Sequence, residues 1–300
     1  MKGTELLELF PAEVKAHADP QRLKLLAATQ TLEEFREVLI KFAKESHPVW
    51  IYGFPRTGST WICKKFFNAF TDSQFMEPFT LFQCNSVNYT DEIMNKGSDF
   101  EQPWLTIQKV LGINSLAVDR LLLAIHSKFF FKFLFDFTIV PQLITIYPKS
   151  KFIWMMRDGR DSVDSFSNPD LNHWPYADFT YLGEGKEKRF QGAMERWMNF
   201  SVQQFRTYEA YEKNILALKY EDFATDFQAT AKTTLDFCEV PFHQEKVHQL
   251  MQGFKSRHGM WKDWESWQKE LFVESKAEQL NRSFGYGRET NSRGVPWNQP

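Results

Sequence analysis

The 300-residue chain reads as an α/β protein, a central parallel sheet flanked by helices. Three observations predict this: short apolar β-prone runs, glycine-bearing loops directly after two of them, and helical segments in between. Parallel strands need crossover connections and burial on both faces, which such an alternation supplies. A hydrophobic content of 43% over this length can bury a sizeable core. No Gly-, Ser- or Pro-rich linker, repeat or low-complexity run divides the chain. Residues 1–300 are therefore expected as one domain, with 1–47 as a helical extension packed on it.

Residues 4 to 46 are rich in Glu, Leu, Ala and Lys, with apolar residues three and four apart, which predicts helices ending before Pro48. Val49–Tyr52 is a β-prone run, Gly53 to Gly58 a turn, and the segment from Ser59 onward a helix. Leu121 to Val140 is the most apolar stretch, but His126, Lys128, Lys132 and Asp136 interrupt it. A membrane span needs about 20 largely uncharged residues, so a buried helix is expected there. Lys151–Met156 is a second strand followed by the loop Arg157-Asp158-Gly159-Arg160 and another helix; Ile215–Tyr220 is a third strand. In such sheets ligands sit beyond the carboxyl ends of the strands, so the two loops are expected to face one ligand.

The formal charge of −2 gives no reason to expect nucleic acid or an acidic membrane as partner. Glu5 and Glu8 break the apolar pattern at the start, unlike a secretory signal. Cys63, Cys84 and Cys238 are odd in number and lack metal-ligand spacing, as expected of buried thiols in a reducing compartment. These features point to a metal-independent, soluble, cytoplasmic protein, while sequons at Asn88, Asn199 and Asn281 keep a secretory setting open.

Gly53-Phe54-Pro55-Arg56-Thr57-Gly58-Ser59-Thr60 carries the clearest chemistry. Unpaired N–H groups at a helix start and the helix dipole attract anions. Glycines let the backbone approach the ligand, and Ser59 and Thr60 add hydroxyl donors. Arg56 adds a permanent forked charge suited to phosphate or sulfate. The pattern approaches the nucleotide-triphosphate loop G-x-x-x-x-G-K-[ST], but Ser59 stands where that motif requires Lys, which argues against ATP or GTP hydrolysis. The bland alternative is a glycine turn without a ligand.

In the second loop Arg157 follows an apolar strand, Asp158 suits a helix N-cap, and Ser165, eight residues after Arg157, lies about two turns into the helix. Arg157 and Ser165 can then meet around one phosphate. Arg160 and Asp161 read instead as a surface ion-pair cluster.

With both loops in view the sequence resembles the PAPS-dependent sulfotransferase family, whose donor is 3'-phosphoadenosine 5'-phosphosulfate and whose product is PAP. Gly53 through Trp61 looks like the family's 5'-phosphosulfate loop, with Arg56 at its Lys/Arg position. Lys151 through Asp161 and on to Ser165 looks like its 3'-phosphate motif, with Gly159 where many members have Pro. Leu218-Lys219-Tyr220-Glu221-Asp222-Phe223 resembles its Tyr-Glu-Asp strand end. Ser256-Arg257-His258-Gly259 with Trp261-Lys262-Asp263-Trp264 resembles its late basic-glycine loop, and Phe284-Gly285-Tyr286 its closing segment. The likeness covers about residues 48 to 287 and implies the P-loop-like sulfotransferase fold.

The resemblance implies that Arg56, Thr57, Gly58, Ser59, Thr60 and Trp61 hold the donor's 5' side. Arg157 and Ser165 would hold its 3'-phosphate, joined by Tyr220, Arg257, His258 and Gly259. Members use a Glu or a His as base. Glu77 follows the phosphate loop by 17 residues and has apolar neighbours that would raise its pKa. The alternative is a carboxylate exposed before Pro78. His126 is the rival base, set against the reading of a packed core histidine. Lys132 precedes Arg157 by 25 residues, near where some members place a lysine on the bridging oxygen.

The expected activity is sulfuryl transfer from PAPS to a hydroxyl or amine of a partly apolar small molecule. Tyr89, Trp104, Phe166, Trp174 and Tyr176 are candidates for the acceptor wall. The competing readings are a P-loop nucleotide kinase or NTPase and a nucleotide-binding module without activity. The sequence marks no interface, and the oligomeric state stays open.

Overall fold

The structure, a computed structural model, describes residues 1–10, 12–71, 74–76, 120–133, 139–168 and 184–287. The chain forms two compact units, Met1–Ile51 with Ile62–Phe152, and Tyr52–Trp61 with the chain from Ile153 onward. Strands β1 (His47–Gly53), β2 (Gln74–Met76), β3 (Lys128–Lys132), β4 (Lys151–Met156) and β5 (Ile215–Lys219) form one sheet in the order β2-β3-β1-β4-β5. Among its pairs, β1 with β3 and β2 with β3 run parallel, with Ile51 and Met76 both in register with Lys132. The α/β class follows.

In the first unit the N-terminal residues fold as α1 (Gly3–Glu8), α2 (Ala12–Ala16), α3 (Pro20–Ala27) and α4 (Leu32–Glu45). Helix α3 starts where Asp19 accepts from the amides of Gln21 and Arg22, with Pro20 at the first helical position. Thr31 caps α4 through the Glu34 amide, and Phe35, Leu39, Phe42 and Ala43 bury one face of it at helical spacing. Arg22 is buried and donates to Ser46 Oγ (2.6 Å), Ala124 O (2.6 Å) and His126 O (2.9 Å), with its guanidinium 4.9 Å from the Phe42 ring. The charge is accommodated by these acceptors, as a buried cation requires.

Trp50 is the hub of this core. Its indole N–H donates to Ser150 Oγ at 2.9 Å, and the rings of Phe129, Phe131, Phe133, Tyr147 and Phe152 surround it. The helical region ends at Glu45, before Pro48, which itself lies inside β1. One expectation changes here: the stretch from Leu121 does not run on as a single buried helix. Arg120–Ile125 forms a 3-10 turn and Lys128–Lys132 the strand β3, buried along most of its length. An apolar run buried on both faces loses the period that separates strand from helix, so length and pairing decide.

The second unit carries α5 (Ser59–Trp61) after β1, while the π-helical turn Ile62–Phe66 that follows in the chain belongs to the first unit. Helix α6 (Val140–Ile146) precedes β4 and belongs to the first unit; after β4 come α7 (Gly159–Ser167) and α8 (Lys186–Ala210). After β5 follow α9 (Tyr220–Thr225), α10 (Phe227–Phe237), α11 (Gln244–Gly253), α12 (Ser266–Glu274) and α13 (Lys276–Ser283). Gly53 ends β1 where a Cβ would lie 2.5 Å from Met155 O, so only glycine lets the ends of β1 and β4 come this close. The loops after both strands therefore emerge side by side.

Candidate active site

The first loop turns at Arg56, whose φ of 72° lies in the left-handed region that a side chain disfavours. Gly58 also has positive φ, 90°, and a Cβ there would lie 2.6 Å from the Tyr220 ring. Thr57 is buried and donates its hydroxyl to Phe54 O at 2.8 Å, bracing the turn. Ser59 is buried at the start of α5, Thr60 is exposed, and Trp61 packs edge-on against Phe254, Phe223 and Phe227.

The second loop meets the first directly. Arg56 Nε donates to Ser165 Oγ at 2.9 Å, and Arg157 donates through one terminal nitrogen to Arg56 O (2.9 Å) and through the other to Arg257 O. Arg157 Nε is buried without a hydrogen-bond acceptor among the described residues. Its guanidinium stands 5.3 Å from the Tyr220 ring, and the Tyr220 hydroxyl lies 3.4 Å from both Lys255 O and the Arg257 amide. Burial, then the charges of Arg157 and Arg257, hold the Arg56 pKa below its ordinary value. Three guanidinium groups so close together raise one another's cost unless an anion joins them. The arrangement can hold a multiply charged phosphate-type ligand.

Around this cluster lies a shell of carboxylates and amides. Asp158 caps α7 by accepting from the Arg160 amide and pairs with the Arg160 guanidinium at 2.6 Å. Glu221 accepts from the Asp158 amide (3.0 Å) and the Tyr286 hydroxyl (3.1 Å). Burial pushes its pKa up to about 7, with Asp158 adding to the rise and the Asp158 amide and Arg157 opposing it. Asn281, fully buried, accepts from the Gly159 amide (2.8 Å) and donates to Asp158 (3.0 Å). That explains the glycine at 159: proline has no N–H to give Asn281, and a Cβ there would lie 2.3 Å from Trp197.

Asp161 corrects the sequence reading. It is 1% exposed and accepts from the amides of Gly259 (2.6 Å) and Trp261 (3.2 Å), so it belongs to the interior and not to a surface ion-pair cluster. Neither Asn281 nor Asp161 has a local sequence signal for these roles. Glu221 lay within a recognised segment, but its partner Tyr286 is 65 residues away. As for the sequons, Asn281 is buried, Asn199 is exposed on α8, and Asn88 lies outside the described residues.

The structure gathers Arg56, Thr57, Gly58, Ser59, Thr60, Trp61, Arg157, Ser165, Tyr220, Arg257 and Gly259 into the second unit; His258 joins them on the same loop, exposed, 2.6 Å from Ser256 Oγ. Phe166, a candidate for the acceptor wall, is buried against Phe54 at 5.0 Å between ring centres. Lys132 and His126 belong to the first unit. Lys132 is 5% exposed at the carboxyl end of β3, and its charge partly offsets the burial that pushes Cys63 up to about 11. His126 is 1% exposed, with Nε2 2.8 Å from Val14 O and Nδ1 3.1 Å from His17 O, and burial pulls its pKa down to about 4. Glu77, Tyr89, Trp104, Trp174, Tyr176 and Cys84 lie outside the described residues.

The profile of a family described as the sulfotransferase family matches residues 48–244. No curated protein sequence matches the chain significantly. Solved structures similar to it include the sulfotransferase STF1 of Mycobacterium tuberculosis (12% identity, 90% of this chain and 92% of that one, TM-score 0.47). Mouse sulfotransferase SULT7A1 complexed with PAP is also similar (12%, 82% and 92%, TM-score 0.48). So is a retinol dehydratase in a complex with retinol and PAP (12%, 92% and 98%, TM-score 0.46).

Proposed function

The chain belongs to the sulfotransferase family, and from that premise we propose that the loops around Arg56 and Arg157 hold PAPS and that the enzyme transfers its sulfuryl group to a small-molecule hydroxyl or amine. The observation that carries this reading is the joining of three arginine-bearing segments, Arg56 donating to Ser165 and Arg157 to the carbonyls of Arg56 and Arg257, with a buried Arg157 N–H still to be accepted. A donor with anionic groups at both its 5' and 3' ends fits two loops that each bring an arginine. PAPS supplies an activated sulfuryl group on a phosphate that becomes the leaving group.

Arg56 and the donors of Thr57, Gly58, Ser59 and Thr60 bind the 5' side, where fixed positive charge favours the transition state over the ground state. Arg157, Ser165, Arg257, His258 and Gly259 bind the 3'-phosphate, and Tyr220 supports them through Gly58 and the Arg257 amide. Trp61 closes the 5' loop against the Phe254 ring. The kinase reading is not favoured, since Ser59 replaces the loop lysine and the family is a transferase of another group.

Glu77 is the proposed base that takes the acceptor proton. It follows Met76, the last residue of β2, whose register partner is Lys132 at the carboxyl end of β3. Lys132 is the proposed cation for the bridging oxygen. His126 is not proposed, because both ring nitrogens face backbone carbonyls. Replacing Glu77 with Gln is expected to lower turnover at least 100-fold with PAP affinity unchanged; unaltered turnover removes it from this role.

The acceptor is proposed to be partly apolar, from the aromatic residues Tyr89, Trp104, Trp174 and Tyr176 in the chain after each phosphate loop. Among the described residues no helix is long and apolar enough to cross a membrane. A cytoplasmic setting is part of the proposal, supported by the odd number of cysteines without metal-ligand spacing and by the burial of Cys63 and Cys238. The first test is calorimetric titration with PAP, with and without magnesium, and with ATP as control. Micromolar PAP binding indifferent to magnesium is expected. Binding of Mg-ATP in its place overturns the donor assignment.

A further inference from the structure

We propose that Asp161 is a positioning residue of the donor site, holding the 257–261 loop where Arg257, His258 and Gly259 can meet the same anion as Arg157. The proposal rests on the reading of this site as a PAPS site and deepens it. Asp161 sits in the first turn of α7, which is anchored at its start by Asp158 and Asn281. Its two oxygens accept separately, Oδ2 from Gly259 N–H at 2.6 Å and Oδ1 from Trp261 N–H at 3.2 Å. Gly259 has φ 79°, the left-handed turn that brings both amides round to one carboxylate. A charged acceptor makes each such bond stronger than a neutral one.

The same helix face makes two further ties to the loop. The Arg160 guanidinium lies 3.6 Å from the centre of the Trp261 ring, and Asp164 Oδ1 accepts from Trp264 Nε1 at 2.9 Å. Residues 160, 161 and 164 thus grip 259, 261 and 264. Upstream, Arg257 and His258 are exposed, and the Tyr220 hydroxyl approaches the loop only at 3.4 Å. Arg157 also donates to Arg257 O.

Electrostatics alone would not place a carboxylate here. Asp161 Oδ2 is 3.7 Å from the Arg157 guanidinium and so weakens the positive field that an incoming phosphate meets. The two explanations therefore predict opposite signs. If Asp161 acts only through its charge, replacing it with Asn tightens anion binding. If it positions the loop, Asn turns an amide N–H toward the Gly259 or Trp261 N–H, releases the loop and weakens binding.

The experiment is titration of the wild type and Asp161→Asn with PAP and with AMP, which lacks the 3'-phosphate. Wild-type binding of PAP tests the underlying reading; its failure overturns that reading and the proposal with it. Given wild-type binding, the expected result is a loss of PAP affinity of about tenfold or more, with AMP affinity changed less than about twofold and KM for PAPS rising more than kcat falls. Tighter or unchanged PAP binding overturns the proposal. So does an equal loss for PAP and AMP, which marks Asp161 as merely structural. Should Asp161→Asn not fold, amide hydrogen exchange on the wild type decides. Gly259 and Trp261 amides exchanging about tenfold or more slowly than those of Arg257 and His258 without ligand support the clamp, and exchange at open-loop rates refutes it.

Discussion

Replacing Glu221 with Gln should stabilise the protein at pH 8 and leave it unchanged near pH 4.5. Glu221 sits with one oxygen on the Asp158 amide and the other on the Tyr286 hydroxyl, and burial raises its pKa from 4.5 to about 7. The folded state therefore holds a proton that the unfolded state has lost over that window. Stability falls as pH rises through it, and the full cost stands above pH 7. At about 1.4 kcal/mol for each tenfold change in proton affinity, the cost reaches about 3 kcal/mol. That figure is an upper limit, because the residue is partly exposed. Glutamine keeps an acceptor for the Asp158 amide and offers its NH₂ to the Tyr286 oxygen, with no charge to bury.

The assay is urea unfolding of both proteins from pH 4.5 to 8. His126 has the opposite sign: its pKa falls from 6.5 to about 4, so its stabilising effect is lost as pH drops from 6.5 toward 4. The two slopes oppose each other between about pH 4.5 and 6.5 in the wild type, and Glu221→Gln leaves the His126 slope uncovered. The difference between the two proteins should grow from near zero at pH 4.5 to a gain of about 2–3 kcal/mol at pH 8. A difference that does not vary with pH, or a loss at pH 8, refutes the reasoning.

Two more substitutions probe the loops. Arg56→Ala and Arg56→Gly should each weaken PAP binding by about 10- to 100-fold in calorimetry, since a charge-assisted contact is lost. Arg56→Gly should also be more stable than Arg56→Ala by about 1 kcal/mol in urea unfolding, because φ at this position is 72°. Equal stability would show that the left-handed turn is not retained. Gly159→Pro should cost about 2–4 kcal/mol in thermal unfolding, as Asn281 loses its amide donor and the ring meets Trp197. A neutral outcome would mean that Trp197 and Asn281 rearrange at little cost.

Much of this protein is decided along short stretches of chain. The strand Lys151–Met156, the Asp158 cap and the helix carrying Ser165 follow from local rules, because β-propensity, capping and helical spacing act within a few residues. The phosphate loop is legible for the same reason: Gly53, Gly58 and Arg56 announce a turn built for anions wherever the strand ends. The run Phe129–Phe131 was not legible as a strand, since a fully buried run carries no alternation, and only pairing with β1 and β2 settles it. The supporting residues were beyond sequence reading for a different cause. Asp161 finds its amides about 100 residues away, Asn281 reaches back 122 residues to Gly159, and Glu221 meets Tyr286 across 65. A carboxylate near an arginine reads as a surface pair until the tertiary structure removes water from it, and that removal turns Asp161 into a loop anchor, while the burial of Glu221 raises its pKa to about 7.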